Sequence, residues 1–151
     1  MRAKFNRTAI AIAVALGPLA LGAAFATPAT LPPVQKSGTV EFMSGGIGQD
    51  ESRAIEMASR EWPLTLEFAA KDQHRSDFAA EVNVVIRDAK GHTLLQTAST
   101  GPFVLARLTP GRYDVEATLG GRTLHETVVI GKGQPAKALF LWPTEVVGQH
   151  S

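Results

Sequence analysis

The chain offers few groups able to do chemistry, and the densest of them lie in MSGGIGQDES, residues 43 to 52. Gly45, Gly46 and Gly48 precede Asp50 and Glu51. Glycine-rich turns that lead into a helix can present backbone amides to a phosphate. That chemistry normally wants Lys or Ser/Thr directly after the glycines. Gln49, Asp50 and Glu51 stand there instead, and two carboxylates at the positive end of a helix repel an anion. The stretch is therefore expected to be a tight strand-to-helix connection, with Asp50 as the helix N-cap and Ile47 anchored in the core.

Other candidates are thinner. Asp72, His74 and Asp77 share the polar loop KDQHRSD, whose oxygen and imidazole donors suit several divalent metals. Without a second cluster the bland expectation is a solvated loop, with no metal and no cofactor. His92 and His125 are expected at the surface, His150 falls in the tail, and spacing alone assembles no Ser-His-Asp set. Trp62 and Trp142, each followed by proline, have two readings. An exposed indole stacks on a sugar ring, whereas a buried one plugs the core; burial is the stronger expectation.

The elements that must position these residues read mostly as strands. Residues 39–43, 64–70, 78–87, 93–98, 103–108, 112–119, 122–130 and 136–142 alternate or form short apolar runs, separated by turn residues. Leu64, Leu66 and Phe68 share one face; so do Val82, Val84 and Ile86, and likewise Tyr113, Val115, Ala117 and Leu119. Residues 103–108 are apolar on both faces, which places that strand centrally. One helix is expected over 50–61, with Ala54, Ile55, Ala58 and Trp62 on its apolar face and Pro63 ending it. The fold class that follows is mainly β: a seven- to eight-stranded antiparallel sandwich, with the helix near the N-terminus covering one edge or end.

The run from Val84 to Gly120 carries a finer likeness. VIRDAKG, TASTGPF and LTPGRYDVEA resemble the carboxypeptidase regulatory-like domain, a prealbumin-like sandwich. The matching positions are Asp88 and Gly91, Gly101 and Phe103, then Leu108, Pro110, Gly111, Tyr113 and Val115. Gly91 and Gly111 would supply turn conformations, Phe103 and Leu108 would fill the inter-sheet core, and Tyr113 would bond backbone with its hydroxyl. The likeness spans about residues 78 to 142 and leaves 39 to 70 unexplained. It implies a non-catalytic binding or spacer module rather than an enzyme. No His-x-x-Glu starts a peptidase zinc site. A transthyretin-like hydrolase shares the fold, but its C-terminal Tyr-Arg-Gly-Ser signature has no match in LFLWPTEVVGQHS.

Compartment is the other inference. Arg2, Lys4 and Arg7, an apolar run from Ala9 to Ala24, and Ala24-Phe25-Ala26 have the layout of a secretory signal cleaved after Ala26. Residues 27–38, with three prolines, read as a flexible leader, 39–143 as one sandwich domain and 144–151 as a loose tail. Removing the three basic residues of the signal takes Lys plus Arg from 15 to 12 against 14 Asp plus Glu, a formal net of −2. That balance gives no electrostatic footprint for nucleic acid. No later run is apolar enough to span a bilayer. Export with no cysteine at all suits a bacterial periplasm or secretion. The expected partner is an envelope protein, or a glycan in the carbohydrate-binding alternative.

Overall fold

The computed structural model describes residues 30–71 and 76–143. The signal and tail expectations, and Asp72, His74 and His150, lie outside the described residues. Ten strands and one α-helix run in the order β1 (Gln35–Ser37), β2 (Val40–Gly45), α1 (Gln49–Ala58), a 3-10 turn at Ser59–Glu61, β3 (Leu64–Lys71), β4 (Ser76–Phe78), β5 (Asn83–Asp88), β6 (Thr93–Ala98), β7 (Phe103–Ala106), β8 (Gly111–Leu119), β9 (Arg122–Ile130) and β10 (Ala136–Trp142).

They make two sheets. One has the order β1-β2-β7-β3-β10, with β4 also paired to β3; the other has the order β6-β5-β8-β9. Their facing sides form the main core, as the alternation requires. Leu64, Leu66 and Phe68 of β3, Val104 and Ala106 of β7, and Phe140 and Trp142 of β10 meet Val84 and Ile86 of β5, Val115 and Ala117 of β8 and Ile130 of β9. For β3, β5 and β8 the predicted inward faces are the observed ones. β7 is central, between β2 and β3, and all four of its residues are buried.

Its second face explains the helix. Phe103 and Leu105 point away from the other sheet and, with Met43 and Trp62, pack on Ile55 and Ala58 of α1. Thus α1 covers the outer face of the first sheet, not an edge or end of the sandwich. Phe103, expected between the sheets, belongs to this smaller core, because it has the opposite parity to Val104. The result is three layers: helix, sheet, sheet.

Three further features depart from the sequence reading. β1 lies within the stretch read as leader and pairs with β2 through a turn at Gly38, whose φ is +59°. β4 is a short addition on β3. β10 runs parallel to β3, from Ala136 beside Leu64 to Trp142 beside Ala70, in an otherwise antiparallel molecule. Strand alternation is blind to the direction of a neighbour, so only the long path from β3 to β10 decides it.

Candidate functional site

The glycine turn is a crossing of two backbones. Ser44 at the end of β2 and Thr100 before β7 exchange two bonds: the Thr100 amide donates to Ser44 Oγ at 2.9 Å, and Thr100 Oγ1 donates to the Ser44 carbonyl at 3.0 Å. A Cβ on Gly101 would run into the backbone of Gly45, and a Cβ on Gly45 would meet Glu51 and Pro32. Gly46, at φ +103°, lies against the Phe103 ring. The glycines are needed because two chains touch there.

An anion already serves this turn, and it is the protein's own. Glu51 reaches back from the first turn of α1, and its Oε1 accepts the Gly46 amide at 2.7 Å. The bond reaches past the N-cap position to a residue two places before it, so it fastens the loop to the helix start and is not a capping box. Asp50 is not the N-cap: Gly48 holds that position at φ +89°, with no side-chain cap bond. Asp50 sits within the first turn and is exposed. The strain-free choice for such a φ is glycine, which moves the helix start two residues earlier. Ile47 is not an anchor either; it is 67% exposed.

Asp88 organises the β5–β6 turn. Its Oδ1 accepts the amides of Lys90 and His92, both at 2.9 Å, and its Oδ2 lies 3.2 Å from His92 Nδ1. The His92 amide, with further help from the His92 ring and the Lys90 amide, holds the Asp88 carboxyl below its ordinary value of 3.8, against an opposing push from desolvation. Gly91, at φ +85°, closes this turn. Tyr113, buried at the start of β8, donates its hydroxyl to the Thr109 carbonyl at 2.6 Å, as the resemblance implied. Gly111 opens β8 rather than sitting in the turn, yet its φ of +158° is one that side chains rarely adopt. Leu108 and Val115 take their places in the main core.

Both indoles are buried. Trp142 is fully enclosed, with Nε1 donating to the Arg122 carbonyl at 3.0 Å and its ring beside Phe68 and Phe140. A sugar cannot reach it, which corrects the stacking role for that residue. Trp62 is 5% exposed. The Arg107 guanidinium lies 4.1 Å from its ring centroid and is itself paired with Glu41 at 3.3 Å. Beside Trp62 opens a cleft of about 250 Å³, walled by Pro63, Leu108, Pro110, Ile130 and Pro135, with Arg60 and Glu61 at its rim. The sequence reading missed this cleft. Its signal was the clustering of prolines next to strand ends, and its walls come from segments far apart in the chain.

The remaining candidates do not converge. His92 is in the β5–β6 turn, whereas His125 is on the exposed side of β9, 3.7 Å from Glu116, which also pairs with Arg87 at 2.8 Å. Asp77 lies in β4 opposite Ala70. Among the described residues no three His, Asp or Glu side chains gather as a metal would require.

These features define a β-sandwich with a helix on one outer face. No family model matches the chain, and no curated protein matches it either. Among solved structures it is similar to the crystal structure of GBS52, the minor pilin of the gram-positive pathogen Streptococcus agalactiae. That likeness covers 54% of this chain and 45% of the pilin chain, at 18% identity and a TM-score of 0.44. The chain thus spans less than half the length of that pilin.

Proposed function

We propose that this protein is a non-catalytic accessory module of the bacterial envelope that binds another protein, in the manner of carboxypeptidase regulatory-like domains. The observation that carries this reading is how several of the described polar side chains are used. Glu51 caps a backbone amide, Asp88 closes its own turn, Tyr113 ties a corner, and Arg107 and Glu41 cover an indole. Each is spent on the framework, and a rigid framework presents surfaces rather than reacting groups. The exported location rests on the signal-like residues 1–26.

The test is capture from an envelope extract on the immobilised domain, with the retained protein identified by mass spectrometry. A saturable partner, together with silence on a hydrolase substrate panel, supports the reading. Turnover of any substrate that is lost in His92→Ala or His125→Ala overturns it in favour of a transthyretin-type hydrolase. Glycan binding is the second reading, and the cleft beside Trp62 is the observation that favours it. Polysaccharide retention that disappears in Trp62→Ala establishes that alternative.

A further inference from the structure

β10 is an edge strand of its sheet, and one hydrogen bond fixes which of its groups face outward. The Ala136 amide donates to the Pro63 carbonyl, toward β3. In a strand the N–H and C=O of one residue point to the same side and alternate along the chain. Ala136, Ala138, Phe140 and Trp142 therefore bond β3, and Lys137, Leu139 and Leu141 present their amides and carbonyls to an edge that no described strand covers. Natural edges are usually short, bulged or charged. β1, at the other edge of the sheet, is three residues long. β10 has seven residues, and its single charge, Lys137, is drawn back from the edge across the outer sheet face to Glu67 of β3 at 2.8 Å. Leu139 and Leu141 remain 51% and 37% exposed on the outer face.

The neighbouring strand says what kind of segment fits. β9 is the edge of the second sheet, and a groove of about 430 Å³ separates it from β10. Glu126 lines that groove. It stands opposite Val115, on the face of β9 that otherwise turns inward. Its carboxylate makes no hydrogen bond or ion pair among the described residues. A strand laid on β10 sends alternate side chains outward past Leu139 and inward toward Glu126.

We infer that β10 receives an extended segment of a partner protein by strand addition, a segment that alternates apolar residues facing Leu139 and Leu141 with basic residues facing Glu126. The inference rests on the binding-module reading and assigns its surface. Main-chain bonds supply the affinity, and the two faces supply the selectivity.

The probe is a fluorescein-labelled peptide of alternating valine and lysine, titrated against the full domain and followed by anisotropy. Saturable binding is expected, with new amide-exchange protection at Lys137, Leu139 and Leu141. Replacing the lysines by glutamates should weaken it by about tenfold or more, as should Glu126→Lys. Leu139→Pro removes an outward amide and spares the β3 ladder, so it should abolish binding. Thermal melting checks that each variant folds, and Glu126→Gln gives a milder, surface-only control with an intermediate loss. Absence of saturable binding, or binding indifferent to Glu126→Lys and Leu139→Pro, overturns the inference. So does a concentration-dependent dimer dispersed by Leu139→Pro, which would assign the edge to a second copy. A captured envelope protein retained equally by the Leu139→Pro chain sinks the edge but leaves the module reading standing.

Discussion

Asp88 uses both carboxylate oxygens on its own turn, and this has a pH consequence of definite sign. Its pKa is lowered on folding, so its contribution is present above the unfolded value of 3.8 and is lost as pH falls through the lower folded value. Melting followed from pH 6 down to about 3 should show a loss in the wild type that Asp88→Asn flattens. A domain whose acid sensitivity is identical in the two proteins would remove Asp88 as a cause. Thr65 makes the opposite case. It is buried on the helix side of β3, and its hydroxyl has no hydrogen-bond partner among the described residues. An unmet buried hydroxyl costs free energy that valine does not incur. Thr65→Val is expected to stabilise by about 1 kcal/mol, read by denaturant titration.

At the scale of elements, the start of α1 separates two neighbouring acids. Glu51 accepts the Gly46 amide, whereas Asp50 has no capping bond. Glu51→Ala should cost about 1 kcal/mol, while Asp50→Ala stays within about 0.5 kcal/mol. Equal losses in the two variants would mean that only the helix dipole matters. The sequence places acids at a helix start, but it cannot say which one folds back. That depends on Gly48 taking a φ of +89° and turning Glu51 toward the loop. The crossing of β2 with the β6–β7 connection is equally hidden. Gly101 reads as a turn glycine, and only the fold brings it against Gly45. Gly101→Ala should cost about 2 kcal/mol or more, because the obstacle is backbone and cannot swing aside.

At the scale of the whole molecule, β9 and β10 belong to different sheets and are joined at one end by the short turn that carries the Gly131–Gln134 bridge. Trp142 ties the other end through its bond to the Arg122 carbonyl and its packing on Phe68 and Phe140. Trp142→Ala opens a cavity and unties the sheets, so a loss of about 3–5 kcal/mol is expected in equilibrium unfolding. A loss under about 1 kcal/mol would show that the indole sits in a loosely packed end.

In the sequence by itself, period and turn residues carry the β character, eight of the ten strands, the inward faces of β3, β5 and β8, one helix and the buried tyrosine. Both are local properties of the chain. The sequence also writes two acids just after the glycine turn, one of which, Glu51, accepts the Gly46 amide. The tertiary structure alone decided that α1 lies on an outer sheet face and that Phe103 turns toward it. It alone placed β10 parallel to β3, at the edge of the described sheet and beside Glu126. The reason is physical. Alternation fixes which side of a strand is apolar, but not which element covers that side or which edge stays bare. Those outcomes are set by chain crossings between segments tens of residues apart, where packing rather than local preference chooses the neighbour.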